Sequence, residues 1–322
     1  MKDLAACLSG LVEIAPRILF DRLVLDSRQV QKNDVFVALA GEAADGHDYI
    51  QQALAKGAVA ILAEHPSQND PRIIVVPELR KHLGMIASRQ LGNPSEQMAV
   101  VGVTGTNGKS SVTHYLAQAL ARCGRRCGVI GTLGYGFLPT LIPGAHTTPD
   151  AVMLQGILAE LLDQGAEAIA MEVSSHGLHQ ERVSGIRFNA AVFTNLTRDH
   201  LDYHGSMEAY QAQKRRLFSM PGLSHAIINA DDVFGQEIIR SVLGEVPVIA
   251  YGLQHHESLD CPQIVAQTIR QNAKGFYAKV TSPWGVGELR SQLLGRFNIS
   301  NTLAVLGVLL AMDIPFDKAF NQ

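Results

Sequence analysis

An α/β fold in two domains is the architecture this sequence predicts, and three observations lead to it. Apolar runs of strand length alternate with amphipathic runs of helical length through most of the chain. Beyond residue 95 the apolar runs are continuous, as in strands buried on both faces. The chain of 322 residues also exceeds one typical domain.

In chain order, residues 34–40 (Asp-Val-Phe-Val-Ala-Leu-Ala) form the first predicted strand, 48–56 a helix, 58–63 a strand and 72–76 another. Residues 79–91 carry apolar side chains at helical spacing, and Gly92-Asn93-Pro94-Ser95 breaks that helix. The domain boundary is placed there, giving a small α/β domain over 1–94 and a central domain over 95–322. In the second, strands at 98–103, 127–130, 168–172, 190–194 and 226–229 alternate with helical stretches such as 111–122, 151–164 and 207–219. That rhythm predicts a mostly parallel sheet covered by helices. After about residue 245 strands dominate, at 247–251, 263–270, 276–280 and 287–294, before a closing helix from 299. They predict an antiparallel annex.

Composition narrows the function. Apolar residues are 47% and charged residues 18%, with a formal net charge of -3. Neither disorder nor a broad basic surface for nucleic acid is indicated, so small-molecule partners are expected. Cys7, Cys123, Cys127 and Cys261 are too scattered for a disulfide framework and read as reduced thiols. Cys123 and Cys127 are placed in a helix-to-strand turn. No signal-like segment opens the chain, and the longest apolar stretch, 303–312, is too short to span a bilayer. A cytoplasmic protein with no membrane partner is expected.

The most specific motif is Thr104-Gly105-Thr106-Asn107-Gly108-Lys109-Ser110, between a predicted strand and a predicted helix. Small residues there let successive backbone N–H groups face one anion, and the helix N-terminus adds positive potential. Lys109 supplies a full charge, and the Ser110 hydroxyl can hold Mg²⁺. The common spacing G-x-x-x-x-G-K-[ST] asks for glycine at 103, where this chain has Val103. A plain strand-to-helix turn is the blander reading, but Gly-Lys-Ser in this setting seldom arises from turn needs alone. A nucleoside triphosphate is the expected ligand.

In open parallel sheets ligands gather beyond the carboxyl ends of strands. Two further polar segments stand at such ends: residues 171–177 (Met-Glu-Val-Ser-Ser-His-Gly) and 194–205 (Thr-Asn-Leu-Thr-Arg-Asp-His-Leu-Asp-Tyr-His-Gly). Glu172 with Ser110 suits Mg²⁺, which takes one or two carboxylates beside phosphate and water. His200 is a softer additional donor. Zinc is the competing metal, although this loop has no cysteine and no helical H-E-x-x-H. Gly131-Thr132-Leu133-Gly134-Tyr135-Gly136 lacks the G-x-G-x-x-G spacing of a dinucleotide loop.

With these residues in view, the chain resembles the Mur ligases, in the branch that adds the third residue of the peptidoglycan stem peptide. Five motifs carry the likeness: Leu25-Asp26-Ser27-Arg28, the loop at 104–110, His146-Thr147-Thr148-Pro149-Asp150, residues 171–178 and residues 193–205. They extend the likeness over essentially the whole chain. The family's own loop reads Gly-Thr-Asn-Gly-Lys, which accounts for Val103.

The resemblance implies a UDP-binding first domain, with the uridine end of UDP-MurNAc-L-Ala-D-Glu against Leu25, Ser27, Glu42, Ala43 and Ala44. The dipeptide part would pass His146, Thr147, Thr148, Ser174, Gln180 and Arg182. An arginine fork suits that task because it grips carboxylate or phosphate through two N–H bonds. Lys214 matches the family's carbamylated lysine, an anion able to hold a second Mg²⁺; read alone, it is a surface helix lysine. Asn298 and Asn301 match asparagines that approach the nucleotide. The implied activity is ATP-dependent amide formation through an acyl phosphate, with Lys109, Glu172, His200 and Lys214 as the catalytic set. Ser110, Glu172, His200 and carbamylated Lys214 would be the metal ligands.

The third family domain, with its Asp-Asn-Pro-Arg signature for the incoming amino acid, has no counterpart in this sequence. The overall likeness favours meso-diaminopimelate over lysine as that amino acid, with a monomer expected. A shortened chain that binds precursor and ATP but ligates poorly is expected from this. Another ligase of the superfamily, the D-glutamate-adding or folylpolyglutamate type, is the alternative; Leu25-Asp26-Ser27-Arg28 and His146-Thr147-Thr148 weigh against it.

Overall fold

The computed structural model describes residues 1–14, 17–41, 44–66 and 69–321. These divide into two compact units, one of Met1–Glu96, Asp150–Glu160 and Gln180–Ile186, the other of Gln97–Pro149, Leu161–His179 and Arg187–Gln322.

The first unit is built on a four-stranded sheet of Leu23–Val24, Val35–Ala38, Ala60–Ala63 and Ile73–Val75, parallel throughout and in chain order. Its strands are apolar on both sides. Val35, Val37 and Leu62 enter one core with Leu79, Leu83 and Ile86 of the helix Leu79–Gln90. Phe36, Ala38 and Ile61 enter the other with Ile50 and Ala53 of the helix Ile50–Ala55. Strict alternation of side chains along a strand puts neighbouring residues in opposite cores. Gly84 lets the long helix approach the backbone of residue 184: a methyl group there would lie 1.7 Å from the Ser184 carbonyl oxygen.

The second unit carries one eleven-stranded sheet. Its parallel part runs Cys127–Gly131, Ala168–Glu172, Ala99–Thr104, Ala190–Phe193, His225–Asn229, Val248–Gly252 and Gln263–Asn272 in spatial order. Ala99–Thr104 lies at the point where the chain, having built one side, crosses to build the other. The helix Lys109–Arg122 packs on the first side, through buried Val112, Leu116 and Leu120. The helix Arg296–Ala311 packs against it and against the central strands, and is apolar around most of its circumference.

Three features differ from the sequence-based reading. Val248–Gly252 and Gln263–Asn272 belong to the parallel sheet; antiparallel pairing starts only with Gly275–Ser282 and continues through Gly285–Ser291. The unanticipated helix Val233–Val242, which buries Phe234, Ile238, Ile239 and Val242, supplies the crossover that parallel pairing requires. At the opposite edge, the hairpin Gly134–Phe137 and Thr140–Ile142 adds two further antiparallel strands. Cys123 caps the helix Lys109–Arg122 and Cys127 opens the next strand, so the pair flanks a turn as expected.

Candidate active site

The loop after Ala99–Thr104 is shaped by its glycines. Gly105 has φ +146°, and a methyl group there would lie 1.9 Å from Thr194 Oγ1. Gly108, at φ 87°, precedes the helix Lys109–Arg122 without any side-chain cap, so the helix's first N–H groups are left for an anion. The neighbouring strand clamps the loop from outside. The Thr106 N–H donates to the Asn195 carbonyl at 2.8 Å, the Asn107 N–H to Asn195 Oδ1 at 3.0 Å, and Thr194 Oγ1 to the Asn107 carbonyl at 2.6 Å.

Lys109 folds back over this loop, its Nζ donating to the carbonyls of Gly105 and Thr106 at 2.9 Å each. Burial lowers its pKa, and the charges of Glu172 and Asp199 oppose that shift. Ser110 Oγ donates to Glu172 Oε1 at 2.8 Å. Glu172, 1% exposed, ends the strand beside the loop and also accepts from the Thr132 N–H at 2.9 Å and the Thr132 hydroxyl at 3.3 Å. Thr147 Oγ1 lies 3.0 Å from Thr132 Oγ1, while Thr148 Oγ1 donates to the Glu172 carbonyl at 3.0 Å and is 3.1 Å from Ser174 Oγ. His146 is exposed on the same segment.

A hydroxyl and a carboxylate oxygen in contact at the end of the loop form a hard, all-oxygen donor pair. That pair fits Mg²⁺, which completes its shell with phosphate and water.

Lys214 is 1% exposed, and its Nζ donates to the Gly105 carbonyl at 2.9 Å. Its ammonium lies 4.5 Å from the ring centre of Tyr210, whose hydroxyl is 3.2 Å from Thr106 Oγ1. Burial, and then the neighbouring Lys109 charge, push Lys214 down to about 7. The surface position read from its sequence is therefore corrected. Helix Met207–Arg215 turns this side chain inward beneath the loop, together with Tyr210, its other buried residue.

Asn298 and Asn301 face the same region. Asn298 Oδ1 accepts from the Tyr115 hydroxyl at 3.1 Å, and a methyl group at Gly108 would lie 2.7 Å from Asn301 Oδ1. His200 is exposed at φ 52° and precedes the one-turn helix Leu201–His204, its ring 6.3 Å from Tyr210 and 4.8 Å from His176.

The remaining residues singled out in the sequence lie in the other unit. Ser27 is buried and donates to Gln52 Oε1 at 2.7 Å; Leu25 is half-buried. Ala44 is exposed, its carbonyl accepting from the Gly41 N–H, whereas Glu42 and Ala43 lie outside the described residues. Arg182 Nε donates to Gln180 Oε1 at 2.9 Å. Thr132, Asn195 and Tyr210 were not singled out as site residues. Thr132 ends an apolar run as Glu172 does, which is the signal that could have marked it.

A parallel sheet with a glycine-rich, lysine-bearing loop at its switch point defines a phosphate-binding α/β domain. Profiles for the Mur ligase middle domain and for the Mur ligase family catalytic domain match residues 103–309 and 20–96, and the chain belongs to the Mur ligase family. It is 48% identical over 307 residues to the UDP-N-acetylmuramoyl-L-alanyl-D-glutamate--2,6-diaminopimelate ligase of Coxiella burnetii, covering 94% of this chain and 63% of that protein. The ligase of the same name from Pseudomonas aeruginosa is 47% identical over 306 residues, covering 92% and 61%. A solved structure of a ligase with that name superposes with a TM-score of 0.84 at 33% identity, covering 94% of this chain and 62% of that one. The chain thus spans about three fifths of the length of these relatives. Among the described residues no helix is long and apolar enough to cross a membrane.

Proposed function

We propose that this chain carries the ATP and acceptor-precursor sites of a cytoplasmic ligase that joins meso-diaminopimelate to UDP-MurNAc-L-Ala-D-Glu. The names of these relatives support the substrate assignment, and one observation carries the chemistry. That observation is the joining of Lys109, Ser110 and Glu172 at the end of a single glycine-rich loop.

The reaction begins with attack of the precursor's D-glutamyl carboxylate on the γ-phosphoryl group of ATP, releasing ADP and leaving an acyl phosphate. The amine of diaminopimelate then displaces phosphate to form the amide. Both partners in the first step are anions, so the site's principal task is to neutralise charge and hold the reactants in line. With the Thr106 and Asn107 N–H groups held by Asn195, the N–H groups of Gly108, Lys109 and Ser110 at the helix start receive the polyphosphate. Lys109 leaves its two carbonyl acceptors to pair with phosphate oxygens. Asn298 and Asn301 border the nucleotide, and Thr147, Thr148 and Ser174 offer hydroxyls to the precursor. Ser110 and Glu172, with His200 and carbamylated Lys214, would hold Mg²⁺, which when bound supplies further positive charge at the phosphates. Leu25, Ser27, Ala44, Gln180 and Arg182 take the precursor's uridine and peptide portions.

The test is incubation of the chain with ATP, Mg²⁺, UDP-MurNAc-L-Ala-D-Glu and meso-diaminopimelate, following phosphate release and product mass separately. Precursor-dependent ADP formation with the diaminopimelate adduct supports the full reading. ADP formation without adduct restricts it to the acyl-phosphate half, and binding of neither substrate discards it.

A further inference from the structure

The one-turn helix Leu201–His204 buries no residue. A single helical turn does not hold itself in water, and here Leu201 and Tyr203 are only half-buried. Its first flanking residue, His200, sits in the left-handed region at φ 52°, an unfavourable conformation for a residue with a side chain. Something else must fix the segment.

Two side-chain hydrogen bonds contribute to this, both to the short helix Ser175–His179. The Tyr203 hydroxyl is 2.8 Å from His179 Nδ1, and His204 Nε2 is 2.9 Å from Ser175 Oγ. Between them, the Tyr203 ring lies against His176 at 4.1 Å between centroids, and the His204 ring lies 5.2 Å from Tyr210. The partner helix starts three residues after Glu172. The clamp therefore joins the segment that bears His200 to the segment that bears Glu172.

We propose that Tyr203 and His204 are positioning residues that fix the separation of His200 from Glu172 and so set the site's affinity for the divalent cation. This rests on the reading above that Glu172 and His200 serve as metal ligands. Partners that orient metal ligands typically change affinity 10- to 100-fold when removed.

Two measurements on the whole chain test the clamp. In the first, MgCl₂ is titrated calorimetrically in the presence of a non-hydrolysable ATP analogue. Tyr203→Phe, which keeps the ring but loses the hydroxyl, and His204→Ala each raise the Mg²⁺ half-saturation about tenfold. His204→Gln, which retains a hydrogen-bonding group toward Ser175, restores most of it. Unchanged half-saturation in the variants overturns the proposal. In the second, amide hydrogen exchange is followed without metal or nucleotide. Residues 199–205 exchange faster in Tyr203→Phe and His204→Ala while helix Lys109–Arg122 does not change; equal exchange in the wild type and both variants overturns the clamp. A wild-type chain that binds the analogue with no response to Mg²⁺ overturns the metal-site reading, and the exchange result then decides the clamp on its own.

Discussion

Lys109 and Lys214 donate to the same acceptor, the carbonyl oxygen of Gly105, each at 2.9 Å. Two ammonium groups on one carbonyl, one of them almost wholly buried, are held under mutual repulsion and poor solvation. The cheapest relief is for one of them to give up its proton, and the deeper one, Lys214, is pushed down to about 7.

A neutral amine near pH 7 can add CO₂, forming an N–C bond, releasing a proton and turning a cation into a carboxylate beside Lys109. Protein in ¹³C-bicarbonate at pH 8 is expected to show a carbamate carbon resonance that is lost in Lys214→Arg and diminished at pH 6. Its presence in Lys214→Arg would assign the signal elsewhere.

The same shift makes stability depend on pH. In the unfolded chain Lys214 keeps its proton up to its ordinary value of 10.5, whereas in the folded chain it loses the proton from about 7. Between these values the unfolded state binds more protons, so raising the pH favours the folded state. The destabilisation from burying Lys214 is complete below pH 7 and fades above it. Thermal unfolding should therefore show the wild type gaining on Lys214→Met between pH 7 and pH 9. A constant gap between the two proteins would contradict the assigned proton loss.

At the loop, Lys109→Ala and Glu172→Gln are each expected to lower precursor-dependent ADP formation by at least about 100-fold, the scale on which single preorganised charge-stabilising groups act. Glu172→Gln keeps the shape and an acceptor for Ser110 Oγ and Thr132, so its folding should change little. Near-normal turnover in Lys109→Ala would remove the loop from the reaction.

Two glycines in helices should respond with opposite signs. A methyl group at Gly84 meets the Ser184 carbonyl at 1.7 Å, and the backbones must part to admit it, so Gly84→Ala should destabilise by about 1–3 kcal/mol. Gly156, exposed on helix Ala151–Asp163, has no atom within 4 Å of such a methyl. Gly156→Ala should stabilise by about 0.5–1 kcal/mol. Denaturation of both variants checks the pair.

The fold was legible where sequence neighbours decide it. The buried strands Ala99–Thr104, Ala168–Glu172 and Ala190–Phe193 are near-continuous apolar runs, and the glycine-rich loop is a local signature. The hairpin at 134–142 was not legible, because its half-buried residues lack a strand-like apolar pattern. In the candidate site, Ser110 and Glu172 could be paired because one closes the glycine-rich loop and the other ends a buried strand. Lys214 could not: its helix is polar overall, and only the tertiary position of Gly105 reveals that this lysine points inward. Thr132 and Asn195 remained hidden for the same reason, since their partners lie 40 and 88 residues away in the chain.

The helix Arg296–Ala311 also constrains how the protein comes into being. All eleven strands of the large sheet precede it in the sequence, yet Leu303, Val308 and Leu309 complete the core shared by Val101, Val192, Ile227 and Ile264. During synthesis the strands leave the ribosome with only the part of this face under helix Lys109–Arg122 covered, and the rest stays bare until residue 311 has emerged. The nascent chain therefore passes through a stage at which chaperones can engage it and at which pausing favours clumping. Codon speed between residues 250 and 311 is expected to matter more for yield than it does anywhere earlier.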